Sequence, residues 1–329
     1  MNPSHLVRLC KDFELGSLLN TPTSVHGGLL HLMWRVNTTS GSYAIKQLSP
    51  KIDLTNTAII KNYNLTERIA TRFAKHGIPA VHAINASNTY LEIIDGIGFL
   101  IYPWVNATPL HQNTVSESHA LKMAGIFAKI HSINLDAPEI EAPVFDVHSN
   151  ESLIALFQKT RQYNCPFANM LTDYQHDIIS INNAYQQSIP ILSNHIVVSH
   201  GDLDQKNVLW DHNDNPILID WECARKLNPT YEIVNAALDW SGISHVFNQM
   251  LFTKMLESYT KAGGHIEKSL LQAAFNGILG NWINWMVYNI ERACDAEAPE
   301  QRALGIEQVN QVLQIIMRLK LLIPNLIKG

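Results

Sequence analysis

Between residues 196 and 222 the chain reads IVVSHGDLDQKNVLWDHNDNPILIDWE. Two short aliphatic runs, 196–199 and 217–219, bracket a loop that carries His200, Asp202 and Asn207, and Asp220 ends the second run. Such runs, separated by clustered Asn, Asp and Pro, read as strands joined by a hairpin. The order Asp-x-x-x-x-Asn, hairpin, Asp fixes a carboxylate, a side-chain amide and a second carboxylate on one frame. Phosphoryl transfer needs that set: a carboxylate beside the acceptor hydroxyl and oxygen donors for Mg²⁺, held within tenths of an ångström. Asp202 would orient the hydroxyl and take its proton, Asn207 and Asp220 would hold the metal, and His200 would hydrogen-bond backbone beside the metal-binding Asp. The plainer alternative is a polar hairpin whose acids and amides form turns and nothing else, as residues 211–216 do.

HGDLDQKNVLW followed by ILIDWE resembles the aminoglycoside phosphotransferase and choline kinase family. The resemblance implies an α+β, two-lobed protein-kinase-like fold: a small N-terminal lobe with an antiparallel sheet, and a larger, mainly helical C-terminal lobe. Gly201 stands where protein kinases carry Arg, and Trp221-Glu222 where they carry Phe-Gly, which favours a small-molecule kinase. Two departures concern the subfamily. Asp204-Gln205-Lys206 replaces the His-Pro-x of many members, and residues 228–232 end in Glu where many have Asp.

The 329 residues suffice for two lobes with separate cores, and 46% hydrophobic with 16% charged residues is the composition of a globular protein. A formal net charge of −5 without any basic cluster argues against a nucleic-acid protein. Cys10, Cys165, Cys223 and Cys294 are isolated in sequence, and none of the His residues forms a metal-ligand spacing, so neither structural zinc nor a disulfide framework is expected. With no apolar run long enough for a signal peptide core or a membrane span, the expected location is cytoplasmic, away from any membrane.

The N-terminal lobe is expected over 1–103 as the nucleotide-binding part. Residues 4–19 read as a helix with Leu6, Leu9, Phe13 and Leu18 as its stripe, and 25–48 as strands around a Ser40-Gly41 turn. Gly27-Gly28 would let backbone approach phosphate, or would make a tight turn; no G-x-G-x-x-G supports the first reading. Lys46 follows Ala44-Ile45 in a strand, the context of the lysine that pairs with ATP phosphates. Its carboxylate partner would be Glu67, on a helix read over 64–76, with a solvated surface Glu as the plainer alternative. Strands at 91–94 and 99–102 lead to Pro103 and Trp104. There the resemblance places the hinge, 102–106, so that Tyr102 and Trp104 would border the nucleoside base.

The remainder, 104–329, is expected to be the catalytic and substrate-binding lobe. Helices are read over 117–133, 151–187 with a break near Cys165-Pro166, 232–262, 267–293 and 304–321. His131 reads as a packed helix residue. Trp282 and Trp285 lie three apart on one helix face, extended by Tyr288 and Asn289. They resemble the aromatic box of choline kinases, although such a pair also buries well in any core. Asp204, Glu222, Asp239, Glu291 and Asp295 could instead meet a polyamine.

The reading is an ATP- (or other NTP-) and Mg²⁺-dependent phosphotransferase acting on a hydroxyl of a small molecule: an aminoglycoside, choline, ethanolamine or a related alcohol, cationic in several of these cases. The acceptor, the nucleoside base and the oligomeric state stay open. The alternative is a catalytically inactive pseudokinase module acting through protein partners, although the base and metal positions are all filled. A protein kinase is disfavoured because no activation segment ending in Ala-Pro-Glu follows Asp220.

Overall fold

The computed structural model describes residues 1–25, 31–110 and 114–328. Gly28 lies outside them. In chain order the first elements are α1 (Pro3–Asp12), β1 (Thr23–Val25), β2 (Leu32–Thr38), β3 (Gly41–Gln47), α2 (Thr57–Lys75), β4 (Glu92–Ile94), β5 (Ile97–Pro103) and β6 (Thr108–Pro109). Next come α3 (Glu117–Ile133), α4 (Asn150–Gln162), α5 (Ala168–Asp173), α6 (Gln175–Leu192), β7 (Val197–Ser199), β8 (Val208–Trp210), β9 (Pro216–Leu218) and β10 (Arg225–Leu227). The chain ends with α7 (Pro229–Trp240), α8 (Gln249–Lys261), α9 (Leu271–Asp295) and α10 (Pro299–Leu326). This is the expected class, an antiparallel-sheet N-terminal lobe followed by a mostly helical part.

By compactness the residues fall into two units: 1–114 with 135–140 and 200–225, and the rest. The loop with Asp202, Asn207 and Asp220 thus belongs to the same unit as the N-terminal sheet.

In the first unit the strands run antiparallel in the order β1-β2-β3-β5-β4. Period-two alternation sends Val36, Ile45, Phe99 and Ile101 to one face, where they form a core with Leu6, Leu9 and Phe13 of α1. The opposite face carries Arg35, Ala44 and Tyr102 in one cross-strand row and Met33, Lys46 and Leu100 in the next. Helix α1 stops earlier than its apolar stripe suggests. Glu14 and Gly16 both take positive φ (52° and 85°), which no helix tolerates, and Leu18 instead bridges Thr38. Helix α2 starts one turn or more before the expected residue 64, because the Asn56 side chain caps it by accepting from the Ala58 N–H. β8 and β9 form the expected hairpin, paired Val208 to Leu218, and β6 adds on the other side of β8. The 79–81 segment pins that hairpin from its outer edge, with Leu218 donating to the Pro79 carbonyl and Val81 to the Leu218 carbonyl, both at 2.8 Å.

The second unit holds helices α3 to α10, with β7 and β10 as a two-stranded sheet. The stretch expected as a single helix over 232–262 is two, α7 and α8. Gly242 breaks it at φ +84°, where a Cβ would run into the Val246 carbonyl. The break expected near Cys165-Pro166 is present: 151–187 divides into α4, α5 and α6, with Asn164 at φ 52° ahead of Pro166. His131 is a hydrogen-bonded core residue. Its Nδ1 lies 2.7 Å from the Tyr259 hydroxyl, its Nε2 2.8 Å from a Glu232 carboxylate oxygen, and the other Glu232 oxygen accepts from Ser199. Among the described residues no helix is long and apolar enough to cross a membrane.

Candidate active site

The loop after β7 is built to hold Asp202 still. Gly201 adopts φ +79°, and a Cβ there would collide with the Cys223 carbonyl oxygen, so only glycine lets the chain turn at this point. The buried His200 ring donates from Nε2 to the Ile219 carbonyl at 2.9 Å, the position immediately before Asp220. With the proton on Nε2, Nδ1 accepts a long 3.4 Å bond from the Asp202 N–H. The ring also packs against Trp221 at 4.5 Å, and Trp221 stacks on Phe73 of α2 at 5.3 Å. One imidazole therefore ties the two ends of the motif to each other and to a helix.

Asn207 closes the loop, and it is buried. Its Nδ2 donates to the Asp202 backbone carbonyl (2.7 Å) and to the Asp202 Oδ2 (2.9 Å). Asp202 and Asn207 are thus brought together as the spacing demands. Asp220 sits in the left-handed region (φ 62°, ψ 61°), which a short polar side chain tolerates better than most. That turn projects its carboxylate sideways from the strand end.

Lys46 Nζ lies 2.8 Å from Asp220 Oδ1 and 2.8 Å from Glu222 Oε2. Burial works against this ammonium, yet the two carboxylates more than compensate and hold its pKa well above the ordinary lysine value. Burial alone would raise the Glu222 carboxyl; the His31 imidazole at 3.5 Å and the Lys46 charge override it and bring the pKa to about 2.

Glu67 does not take the expected place beside Lys46. Its Oε1 accepts from the Tyr102 hydroxyl and its Oε2 from the Ala83 N–H, both at 2.6 Å. Burial raises its pKa, with those two bonds and the more distant Lys46 charge opposing. A phenol and a backbone amide satisfy both oxygens, so the ammonium turns to the less buried pair. Tyr102, its own pKa raised by burial and by Glu67, therefore lies on the Lys46 face of the sheet. Trp104 follows it, donating its backbone N–H to Ser42 and lying under the Arg35 guanidinium at 4.5 Å.

Of the residues named for an acceptor, Asp204 caps the short turn 205–207. It accepts from the Lys206 backbone N–H at 3.0 Å and from its Nζ at 2.5 Å, and burial raises its pKa. Trp282 is half-buried on α9. Trp285 is 37% exposed and stacks on Tyr288, 49% exposed, with centroids 5.2 Å apart, so this pair is not core. The Arg292 guanidinium covers Tyr288 at 4.7 Å. Asp295 is bonded to Lys159 at 2.6 Å.

Two residues were missed by reasoning from the sequence. His31 carries no motif that ties it to Glu222. Lys206 gave no signal either, since four-residue spacing pairs side chains only on a helix and this stretch is a loop; its Nζ lies 3.2 Å from Asp202 Oδ2.

No curated protein sequence matches the chain. Its fold matches solved structures of low sequence identity. A spectinomycin phosphotransferase in complex with ADP and spectinomycin superposes with a TM-score of 0.69 at 13% identity, covering 97% of this chain and 99% of that one. An amicoumacin kinase in complex with AMP-PNP and Ca²⁺ gives 0.66 at 10%, over 95% and 94%. An ethanolamine kinase of Plasmodium vivax gives 0.60 at 16%, over 97% and 91%. A family model described as the phosphotransferase enzyme family matches residues 21–260, well over half of the sequence, and the chain belongs to that family.

Proposed function

We propose that the protein transfers the γ-phosphoryl group of ATP to a hydroxyl of a small molecule, with Mg²⁺. The observation that carries this reading is the Lys46 ammonium on the carboxylates of Asp220 and Glu222, in the unit that also sets Asn207 against Asp202. Asp202 orients the acceptor hydroxyl and receives its proton as the new O–P bond forms. Lys46 meets phosphate oxygens, and Tyr102 and Trp104 border the base. Glu67 holds Tyr102 rather than Lys46.

The donor set suits Mg²⁺. Among the described residues no cluster of three or more His, Cys, Asp or Glu side chains could hold a metal alone. Asn207 and Asp220 offer hard oxygens, and a cation that keeps water and phosphate oxygens as its remaining ligands fits such a pair. When bound, Mg²⁺ neutralises charge that builds on the transferring phosphoryl group.

Spectinomycin, amicoumacin and ethanolamine kinases share the fold, so a hydroxyl on an amine-bearing molecule is the acceptor class to test first. Asp204 and Glu222 are already engaged by cations, and Trp285, whose neighbour Tyr288 is covered by Arg292, is the aromatic residue to examine for acceptor binding. We further assign 1–103 as the nucleotide-binding lobe and 104–329 as the catalytic and substrate-binding lobe, of which 104–114, 135–140 and 200–225 pack with the first unit, and a cytoplasmic location. The test is ADP release from ATP–Mg²⁺ over a panel of ethanolamine, choline, spectinomycin and kanamycin. One acceptor should accelerate release; uniform absence of turnover would count against the reading.

A further inference from the structure

The loop between Asp202 and Asn207 carries one cation, Lys206. Lys206 lies in the short 3₁₀ turn 205–207, and this turn folds its side chain back over the two acids that precede it. Asp204 grips it at both ends, accepting from the backbone N–H at 3.0 Å through Oδ1 and from Nζ at 2.5 Å through Oδ2. Nζ then reaches Asp202 Oδ2 at 3.2 Å.

That oxygen already accepts from Asn207 Nδ2 at 2.9 Å. Both side-chain donors to the Asp202 carboxylate thus converge on Oδ2. Among the described residues no donor reaches Oδ1. A carboxylate anchored through one oxygen by an amide on one side and an ammonium on the other is fixed in rotation, and its second oxygen points wherever those two contacts dictate. The Lys206 side chain is 59% exposed, and it differs from a lone surface pair in that two carboxylates share its ammonium while the capped turn fixes the start of the side chain.

We propose that Lys206 is a positioning residue: clamped by Asp204, it pins Oδ2 of Asp202 so that Oδ1 meets the acceptor hydroxyl. This rests on the phosphotransferase reading above. In the step it serves, the hydroxyl oxygen bonds the γ-phosphorus, the bond from that phosphorus to the β–γ bridging oxygen breaks, ADP leaves with the electron pair, and the hydroxyl proton passes to Oδ1. Lys206 touches neither the proton nor the bond being broken. Its contribution is in kcat, not in nucleotide binding.

The experiment compares wild type, Lys206→Met, Lys206→Arg, Asp204→Asn, the Lys206→Met/Asp204→Asn double variant and Asp202→Asn. The assay uses ATP–Mg²⁺ and whichever of ethanolamine, choline, spectinomycin and kanamycin gives the fastest wild-type turnover. Lys206→Met should lower kcat about tenfold with the KM for ATP moving less than about twofold, and Lys206→Arg should recover most of the loss, since a guanidinium restores the charge. Asp204→Asn should show a similar loss, and the double variant should be no slower than the worse single one, because the two residues act as a unit. Thermal melts of all variants report folding independently. Wild-type kcat in Lys206→Met overturns the proposal while Asp202→Asn, inactive in the same assay, leaves the phosphotransferase reading standing. Equal loss in Lys206→Arg and Lys206→Met, or a loss that follows the melting temperature, also overturns it. A wild-type protein without turnover overturns both.

Discussion

Lys46 Nζ lies 2.8 Å from Asp220 Oδ1 across 174 positions of sequence, so an ammonium on strand β3 is seated directly on the residue proposed to carry the metal. Glu222 Oε2 accepts from the same ammonium at 2.8 Å. Replacing this lysine by methionine leaves two carboxylates facing each other without their shared cation. Lys46→Met should weaken ATP–Mg²⁺ binding at least about tenfold, measured by titration calorimetry, with the apo protein still folded.

Glu67 gives a stability prediction with a definite sign. Burial raises its pKa above the ordinary 4.5, so the folded state holds that proton more tightly than the unfolded chain. The favourable contribution is therefore present below about pH 4.5 and is lost as the pH rises through the raised folded value. Glu67→Gln has no such proton to lose. Its melting temperature relative to wild type should rise between about pH 4 and pH 7, and a difference that stays flat would contradict the assignment.

Gly201→Ala forces a Cβ into the Cys223 carbonyl at a φ that L-residues avoid. It should destabilise the protein by at least ~1–3 kcal/mol in urea unfolding. It should also lower turnover by more than the fraction of protein that unfolds, because the same turn aims Asp202.

Trp285 separates acceptor binding from packing. Its exposed ring stacks on Tyr288, so Trp285→Ala should cost only about 0.5–1.5 kcal/mol of stability. If the ring meets an ammonium of the acceptor, KM for that acceptor should rise by about 3–30-fold with KM for ATP unchanged, in line with a cation–π contribution of up to about 2 kcal/mol.

The order of Asp202, Asn207 and Asp220 was legible in the sequence because their spacing is imposed locally, by one loop and one hairpin. His200 was legible for the same reason: its partner, Ile219, lies within the same stretch. What pairs with Lys46 was not. Glu67 has the right helix and the right strand, but Tyr102 and Ala83 satisfy its carboxylate, and that competition depends on how β5 and the 79–83 segment lie against α2. Helix α1 ended early at Glu14 and Gly16 because a stripe of leucines reports a buried face, not the backbone turn that ends it. The α7–α8 break at Gly242 was hidden in the same way, by apolar residues that continue on both sides. Trp282 and Trp285 followed helical spacing, yet spacing alone could not show that Trp285 faces outward.

The most direct test of the central claim is ADP release from ATP–Mg²⁺ by wild type and Asp202→Ala, with the panel acceptor that gives the fastest wild-type rate, alongside thermal melts with nucleotide. Asp202→Ala should lose at least about 10²-fold in kcat while ATP–Mg²⁺ raises its melting temperature as it does that of wild type. Turnover by Asp202→Ala at the wild-type rate would contradict the claim.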